Sequence, residues 1–255
     1  MKYTVITGAS SGLGYHFAYV AAKHNHNLIL IARNLEQLKT IQKDIMHNYH
    51  VDVICMKCDL IQQEERDTIL KQLEAYDIDI LINNAGKGFY GCFVEDNAFA
   101  MLDIIDLNVK ALVHLTHKLA QEMVKKKQGY ILNVASVAAF MPGPFMSVYY
   151  ASKAFVLSFS LALQKELQGS GVFVTTLCPG PTKTSFATNA NIHNHFLASK
   201  FQDDGYQVAS YGFLSMLKRR KVCTYGWKNK VYVALGRMLP IRFVTNLVYY
   251  LQKYR

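Results

Sequence analysis

Tyr149 and Lys153 stand four residues apart in Ser147-Val148-Tyr149-Tyr150-Ala151-Ser152-Lys153, and Ser136 lies thirteen residues before the tyrosine. From Ser147 to Gln168 the apolar residues recur at helical spacing, which puts the phenol and the ammonium on one helix face. A free tyrosine titrates near ~10, too high for acid–base work at neutral pH. A neighbouring positive charge stabilises the phenolate and lowers that value, whereas burial alone raises it. Taken alone, Y-x-x-x-K describes a surface tyrosine above a solvated lysine. The reading therefore depends on what surrounds it.

A strand pattern over Lys2–Thr7 runs into Gly8-Ala9-Ser10-Ser11-Gly12-Leu13-Gly14, and a helical pattern follows from Tyr15 to about Asn25. Strand, glycine turn and helix N-terminus form a phosphate cradle, where unpaired amides and the helix dipole face an anion. The spacing is G-x-x-x-G-x-G rather than the common dinucleotide fingerprint G-x-G-x-x-G. The second strand, Asn27–Ala32, is a continuous apolar run of the kind buried on both faces. Its tip reads Ala32-Arg33-Asn34, with no acid to hold ribose hydroxyls, and Arg33 suits a 2′-phosphate. NADPH is thus expected over NADH. Glu36 falls in the next helix, where it complements the dipole.

Later strands end in polar clusters. Val51–Cys58 leads to Asp59-Leu60, where an adenine could be capped, and Asp79–Ile82 leads to Asn83-Asn84-Ala85-Gly86, with two amides beside a flat ligand. A long helix from about Ala98 to Lys126 carries Asn108 among Ile104, Ile105, Leu107, Val109 and Leu112, and a buried amide needs partners. Tyr130–Ala135 delivers Ser136. Val172–Cys178 ends in Pro179-Gly180-Pro181-Thr182-Lys183-Thr184. Strands alternating with helices, each strand ending in a polar cluster, describe an open parallel sheet with its ligand site along the carboxyl edge.

Composition agrees with an α/β domain: 255 residues, half of them apolar. The strand pattern begins at once and no uncharged apolar run is long enough to span a membrane, so neither signal peptide nor transmembrane helix is expected. Five cysteines without disulfide-like spacing suit a reducing compartment, and the location expected is cytoplasmic. Cys55 and Cys58 read as structural, because the C-x-x-C has no second pair for zinc. The net charge of +10 is localised: all eighteen acidic residues lie at or before Asp204, and residues 205–255 carry ten basic residues and none acidic.

Thr7-Gly8-x-x-x-Gly12-x-Gly14, Asp59, Asn83-Asn84-Ala85-Gly86, Asn108, Ser136, Tyr149-x-x-x-Lys153 and Pro179-Gly180, in this order, resemble the short-chain dehydrogenase/reductase family, in its classical subgroup. The resemblance covers roughly residues 1–185 and a seventh strand near Lys221–Tyr225. It implies a single doubly wound, mostly parallel Rossmann domain over residues 1–255, with an NADPH-dependent carbonyl reduction. Tyr149 would be the general acid. Lys153 would depress its pKa and hold the nicotinamide ribose, Ser136 would polarise the carbonyl, and Asn108 would support a water leading from Lys153 to solvent. Gly8, Ser10, Ser11, Gly12, Leu13, Gly14, Arg33, Asp59, Leu60, Asn84, Ala85 and Gly86 would bind the cofactor. Pro179, Gly180, Thr182 and Thr184 would seat its nicotinamide. The chain lacks the glycine-ended last strand of many tetrameric members, which favours a dimer.

Residues 185–215 are expected to form an aromatic substrate lid (Phe186, Phe196, Leu197, Phe201, Tyr206, Tyr211, Phe213 and Leu214), consistent with an apolar, acyl-like ketone. His193 and His195 read as lid polar groups, and no metal site is expected. Residues 226–255 form a basic extension. From Pro240 a helix would align Phe243, Val244, Leu247, Val248 and Leu251 in one stripe. With Lys218–Lys221, this extension either meets an anionic membrane surface or an acidic partner, or packs on the body or a second subunit. No docking motif for nucleic acid accompanies the charge. A cofactor-sensing regulator, binding NADPH without turnover, is the alternative from another class.

Overall fold

Successive strand residues point to opposite faces, and nearly every position along these strands is apolar, so the chain builds a core on each side of one sheet. The computed structural model describes residues 1–184, 186, 190 and 202–253. Its first half runs β1 (Lys2–Thr7), α1 (Gly12–Lys23), β2 (Asn27–Ala32), α2 (Leu35–Asn48), β3 (Val53–Lys57), α3 (Gln63–Leu73), β4 (Asp77–Asn83) and α4 (Ala98–Ile105). Then come α5 (Leu112–Lys125), β5 (Gly129–Val134), α6 (Ser147–Glu166), β6 (Val172–Leu177), α7 (Gly205–Leu217), β7 (Val222–Cys223), α8 (Trp227–Met238) and α9 (Ile241–Lys253).

The seven strands pair in the order β3-β2-β1-β4-β5-β6-β7, all parallel. Ile6, Leu28, Leu30, Ile82 and Leu132 meet Phe17 of α1, Leu38 of α2 and Phe213 of α7 on one face. Val5, Ile29, Leu81 and Ile131 meet Ile69 of α3 and Leu115 of α5 on the other. This is a single Rossmann-type α/β fold. From β1 the chain winds outward to β2 and β3, then returns to β4 beside β1. The crevice at that reversal, on the carboxyl edge, is where such sheets bind ligands.

The expected helix over residues 98–126 is interrupted, because Asp106–Ala111 forms a π-helical turn around the buried Asn108. A larger correction concerns the lid. Tyr206, Tyr211, Phe213 and Leu214 belong to α7, whose Val208, Ala209, Phe213 and Met216 are fully buried against α1 and the sheet. Helical spacing of apolar residues there fills one face of the core, so α7 is body rather than lid. His193, His195, Phe196, Leu197 and Phe201 lie outside the described residues.

The tail is also rearranged. Lys218–Lys221 precede β7, at the sheet edge opposite the carboxyl ends, where Arg219 stacks on Phe173 at 4.0 Å and Arg220 Nη1 donates to the Tyr211 hydroxyl at 3.3 Å. Only α8 and α9 stand at the ligand end. The expected single stripe on α9 is divided: Val244 and Val248 are buried, whereas Phe243, Leu247 and Leu251 are exposed. Among the described residues no helix is long and apolar enough to cross a membrane.

Candidate active site

Every strand tip named from the sequence arrives on one edge of the sheet. β1 delivers the Gly8–Gly14 turn and β4 delivers Asn84–Gly86 next to it. Gly8 and Gly12 have φ of 66° and 57°, which only glycine adopts freely. A Cβ on Gly14 would stand 2.2 Å from the Gly8 carbonyl oxygen, so the turn closes only with glycine there. Ser11 is the N-cap of α1, yet no side chain caps the helix and its first turn holds no acid. The leading amides of the helix and its positive end therefore face the crevice without a protein anion. This donor set fits a pyrophosphate.

The Asn83 and Asn84 side chains tie neighbouring strands together. Asn84 Nδ2 donates to the carbonyl oxygens of Thr7 (2.9 Å) and Gly8 (3.3 Å), while Thr7 Oγ1 accepts from the amides of Asn84 and Ala85, each at 3.0 Å. Asn83 points into the sheet and donates to Thr116 Oγ1 and Asn133 Oδ1, both at 2.9 Å, and Asn133 donates on to Ser160 Oγ. These amides lock β1, β4 and β5 together at the crevice. Ala85 and Gly86 remain at its floor.

Arg33 is exposed at the tip of β2 and makes no hydrogen bond or ion pair among the described residues. Glu36 lies in the first turn of α2, 3.7 Å from Lys39. Beyond β3, Asp59 Oδ1 accepts from the Ile61 amide at 3.1 Å, and the buried Arg66 Nη1 donates to the carbonyls of Leu60 (2.7 Å) and Ile61 (2.8 Å). Arg66 escaped the sequence reading, because a guanidinium on a polar helix looks like any solvated charge. Cys55 and Cys58 are free thiols pushed up by burial to about 11 and about 12, far from reactive thiolates.

At the other side of the crevice, α6 brings Tyr149 and Lys153 together, both buried. Ser136 follows β5 as the N-cap of a short 3₁₀ turn (Val137–Phe140), its Oγ accepting from the Ala138 amide at 3.1 Å, and it lies close enough to Tyr149 to favour the phenolate. Lys153 Nζ donates to the Val134 carbonyl oxygen at 2.9 Å and stands 5.9 Å from the Tyr149 ring centre. Burial pushes the Tyr149 hydroxyl up to about 12, outweighing the lowering by Ser136, and Tyr150 adds to the rise. Desolvation, and not Lys153, dominates at this hydroxyl. Burial likewise brings Lys153 down to about 8, with Cys178 opposing. A phenol held protonated beside a cation easily relieved of its proton is the arrangement for donating a proton and replacing it.

Asn108 is bound on three sides. Its Oδ1 accepts from the Lys87 amide at 2.9 Å, and its Nδ2 donates to the Lys87 carbonyl and to Ser152 Oγ, each at 3.0 Å. A side chain at Gly86 would meet Asn108 Oδ1 at 3.1 Å and Lys153 Nζ at 3.3 Å. Ser152 Oγ in turn donates to the Tyr149 carbonyl at 2.7 Å. Ser152 was not singled out from sequence, although it lies between the two residues that were.

The loop after β6 completes the edge. The Pro179 carbonyl accepts from the Val137 amide at 2.9 Å, and a Cβ on Gly180 would stand 2.0 Å from Asn229 Oδ1. Thr182 Oγ1 donates to the Gly180 carbonyl at 2.9 Å, and Thr184 faces Gly12 across the crevice. Around Tyr149 lie Ile104, Met146, Phe89, Tyr90, Tyr150 and Phe186, the last with its ring 5.3 Å away. The wall of the reacting end is apolar and aromatic. Among the described residues, no cluster of side chains could hold a metal ion.

The family model for short chain dehydrogenases matches residues 2–195. Among curated relatives, 17-beta-hydroxysteroid dehydrogenase type 3 of Mus musculus is 32% identical over 83% of this chain and 70% of its own length. Inactive hydroxysteroid dehydrogenase-like protein 1 of Homo sapiens is 33% identical over 94% of this chain and 72% of its own. Very-long-chain 3-oxoacyl-CoA reductase of Rattus norvegicus is 30% identical over 73% of this chain, which spans 61% of that relative. A short-chain dehydrogenase from Sphingobium yanoikuyae, solved with NADPH, superposes with a TM-score of 0.84 at 29% identity, covering 94% of this chain and 97% of the other. The protein belongs to the short-chain dehydrogenase/reductase family of nicotinamide-dependent oxidoreductases.

Proposed function

We propose that the protein reduces the ketone of a bulky apolar substrate, of acyl or steroid type, to an alcohol at the expense of NADPH. The observation that carries this reading is Tyr149, buried and so held protonated, on one helix with Lys153, near Ser136 and walled by apolar side chains. The nicotinamide supplies the hydride to the carbonyl carbon. Ser136 and Tyr149 both bond the carbonyl oxygen, and Tyr149 transfers its proton there as the C=O bond becomes C–O. Lys153, set near neutrality by burial, holds the ribose and restores the proton, while Asn108 fixes the α6 backbone and the path outward.

The cofactor would lie along the named edge. Its pyrophosphate would meet Ser10, Ser11, Gly12, Leu13 and the amides of α1, its adenine would rest between Asp59 and Leu60, and its nicotinamide would sit by Pro179, Gly180, Thr182 and Thr184. Arg33, exposed and unpaired, suits the 2′-phosphate. The NADPH in the Sphingobium neighbour supports this preference, and the steroid and 3-oxoacyl names of the relatives support the substrate class. Phe155, stacked on Phe159 at 5.8 Å, and the exposed Val124 flank a groove of about 470 Å³ between α5 and α6, which suits a dimer.

A second reading, a cofactor-binding regulator without turnover, draws on the relative named inactive. Oxidation of NADPH against ketosteroids, 3-oxoacyl thioesters and bulky ketones separates the two. The reductase reading requires turnover with at least one class, reduced at least ~100-fold in Tyr149→Phe while cofactor binding is kept. Tight NADPH binding with no turnover by any class overturns it in favour of the regulator.

A further inference from the structure

α8 and α9 are consecutive helices joined at Leu239-Pro240, and each has two kinds of face. On α9, Val244, Val248 and Gln252 are buried. Gln252 Nε2 donates to the Tyr150 hydroxyl at 2.8 Å, its carbonyl accepts from Tyr90 Oη at 2.6 Å, and Tyr249 stacks on Phe145 at 5.4 Å. α8 is anchored by the buried Asn229, which donates to Asp203 Oδ2 at 2.6 Å, and by Arg237 over the Phe140 ring. These inner faces account for the docking of both helices on the body.

The outer faces remain apolar. Trp227, Val231, Leu235 and Met238 recur at helical spacing along α8, with Trp227 72% and Met238 82% exposed. Phe243, Leu247, Tyr250 and Leu251 do the same on α9, and Tyr250 is 61% exposed. Lys228, Lys230, Arg237, Arg242 and Lys253 are the charged residues of the two helices, and none of their residues is acidic. Exposed aromatic and aliphatic stripes bordered by cations, on helices too short and polar to span, have the composition of an interfacial membrane element.

We propose that the outer face of α8 and α9 docks on an anionic phospholipid bilayer, with the apolar stripes at the acyl boundary and Lys228, Lys230, Arg242 and Lys253 among the headgroups. Charge selects this occupant. A second copy of the chain, related by a two-fold axis, would set the same cations against themselves with no acid to answer them. An anionic surface answers all of them at once. Because the inner face of α9 holds Tyr150 and Tyr90, next to Tyr149, the docked surface lies directly behind the apolar wall of the reacting end. Docking itself does not depend on the reductase reading.

Trp227 is the only tryptophan in the chain, so its fluorescence reports on this face alone. The full-length protein is mixed with vesicles of phosphatidylcholine, with and without phosphatidylserine, and followed by sedimentation and Trp227 emission. Binding to the phosphatidylserine vesicles, with a blue shift that fades as salt rises, is the expected result. Charge reversal in Lys230→Glu/Arg242→Glu, and separately Phe243→Ser/Leu247→Ser, should each weaken binding about tenfold or more while the melting temperature is kept. No sedimentation and no shift overturns the proposal. So does a blue shift without vesicles that grows with protein concentration alongside a doubled mass, which assigns the face to a second copy. Binding that both double variants retain places the membrane contact elsewhere and also overturns it.

Discussion

Asn108 Nδ2 donates to Ser152 Oγ at 3.0 Å, joining a π-helical turn after α4 to the helix that carries Tyr149. Ser152 passes the restraint on to the Tyr149 carbonyl. The position of Tyr149 along the crevice is therefore set from behind, by two uncharged side chains.

Asn108→Ala should remove three hydrogen bonds and leave the Lys87 amide and Ser152 without their partner. The expected cost is about 2 kcal/mol of stability, read from urea denaturation. Ser152→Ala should cost less, since it removes the intermediate hydroxyl and leaves Asn108 bound to Lys87. Equal effects would mean that the asparagine acts only through the serine.

Lys153 titrates at about 8 in the folded protein, well below its ordinary 10.5. A lowered lysine contributes stability that is fully present above the unfolded value and lost as pH falls through the folded one. Between pH 8 and 10.5, then, the wild-type protein should strengthen relative to Lys153→Met by up to about 3 kcal/mol. Tyr149, raised to about 12, works in the opposite sense and only above pH 10, where it loses stability as it ionises. Paired denaturation curves at pH 8, 9 and 10 test the lysine alone. A flat difference would show that Lys153 is not desolvated.

Arg33→Glu should lower kcat/KM for NADPH by about tenfold to a hundredfold and spare or improve NADH, by exchanging a phosphate partner for a ribose partner. Initial rates with both cofactors measure it. An unchanged ratio would remove Arg33 from the cofactor site.

Gly180→Ala should force Asn229 aside, because the new Cβ falls 2.0 Å from its side-chain oxygen. The cost should be about 1–3 kcal/mol, since Asn229 also holds Asp203 and the Tyr225 carbonyl. In combination with Asn229→Ala the effects should fall short of additive, as expected for two residues in contact.

The strands, their order along the chain and the polar residue at each tip were legible in the sequence, because a parallel sheet demands continuous apolar runs and its ligand edge demands small or polar ends. What escaped was pairing at a distance. Nothing in Asn83 announces that it faces Asn133 rather than a ligand, and Arg66 looks solvated until Leu60 and Ile61 turn their carbonyls toward it. α7 was misplaced for a different reason. Its aromatic residues suit either a lid or a core, and only the vacant face of the sheet beside α1 selects the second. The tyrosine shift went against expectation because charge proximity can be read from spacing, whereas depth cannot.

The central position of β1 sets a schedule for the nascent chain. Its two neighbours are β2, complete at Ala32, and β4, complete only at Asn83. Until then β1 has one bare edge, and Thr7, which will receive the amides of Asn84 and Ala85, has no partner for its hydroxyl there. Closing that gap requires a loop across β2, α2, β3 and α3, a slow step for any parallel sheet. β1 is thus enclosed only after β2, which gains β3 by Lys57, and its bare edge stays open to wrong pairing until β4 arrives.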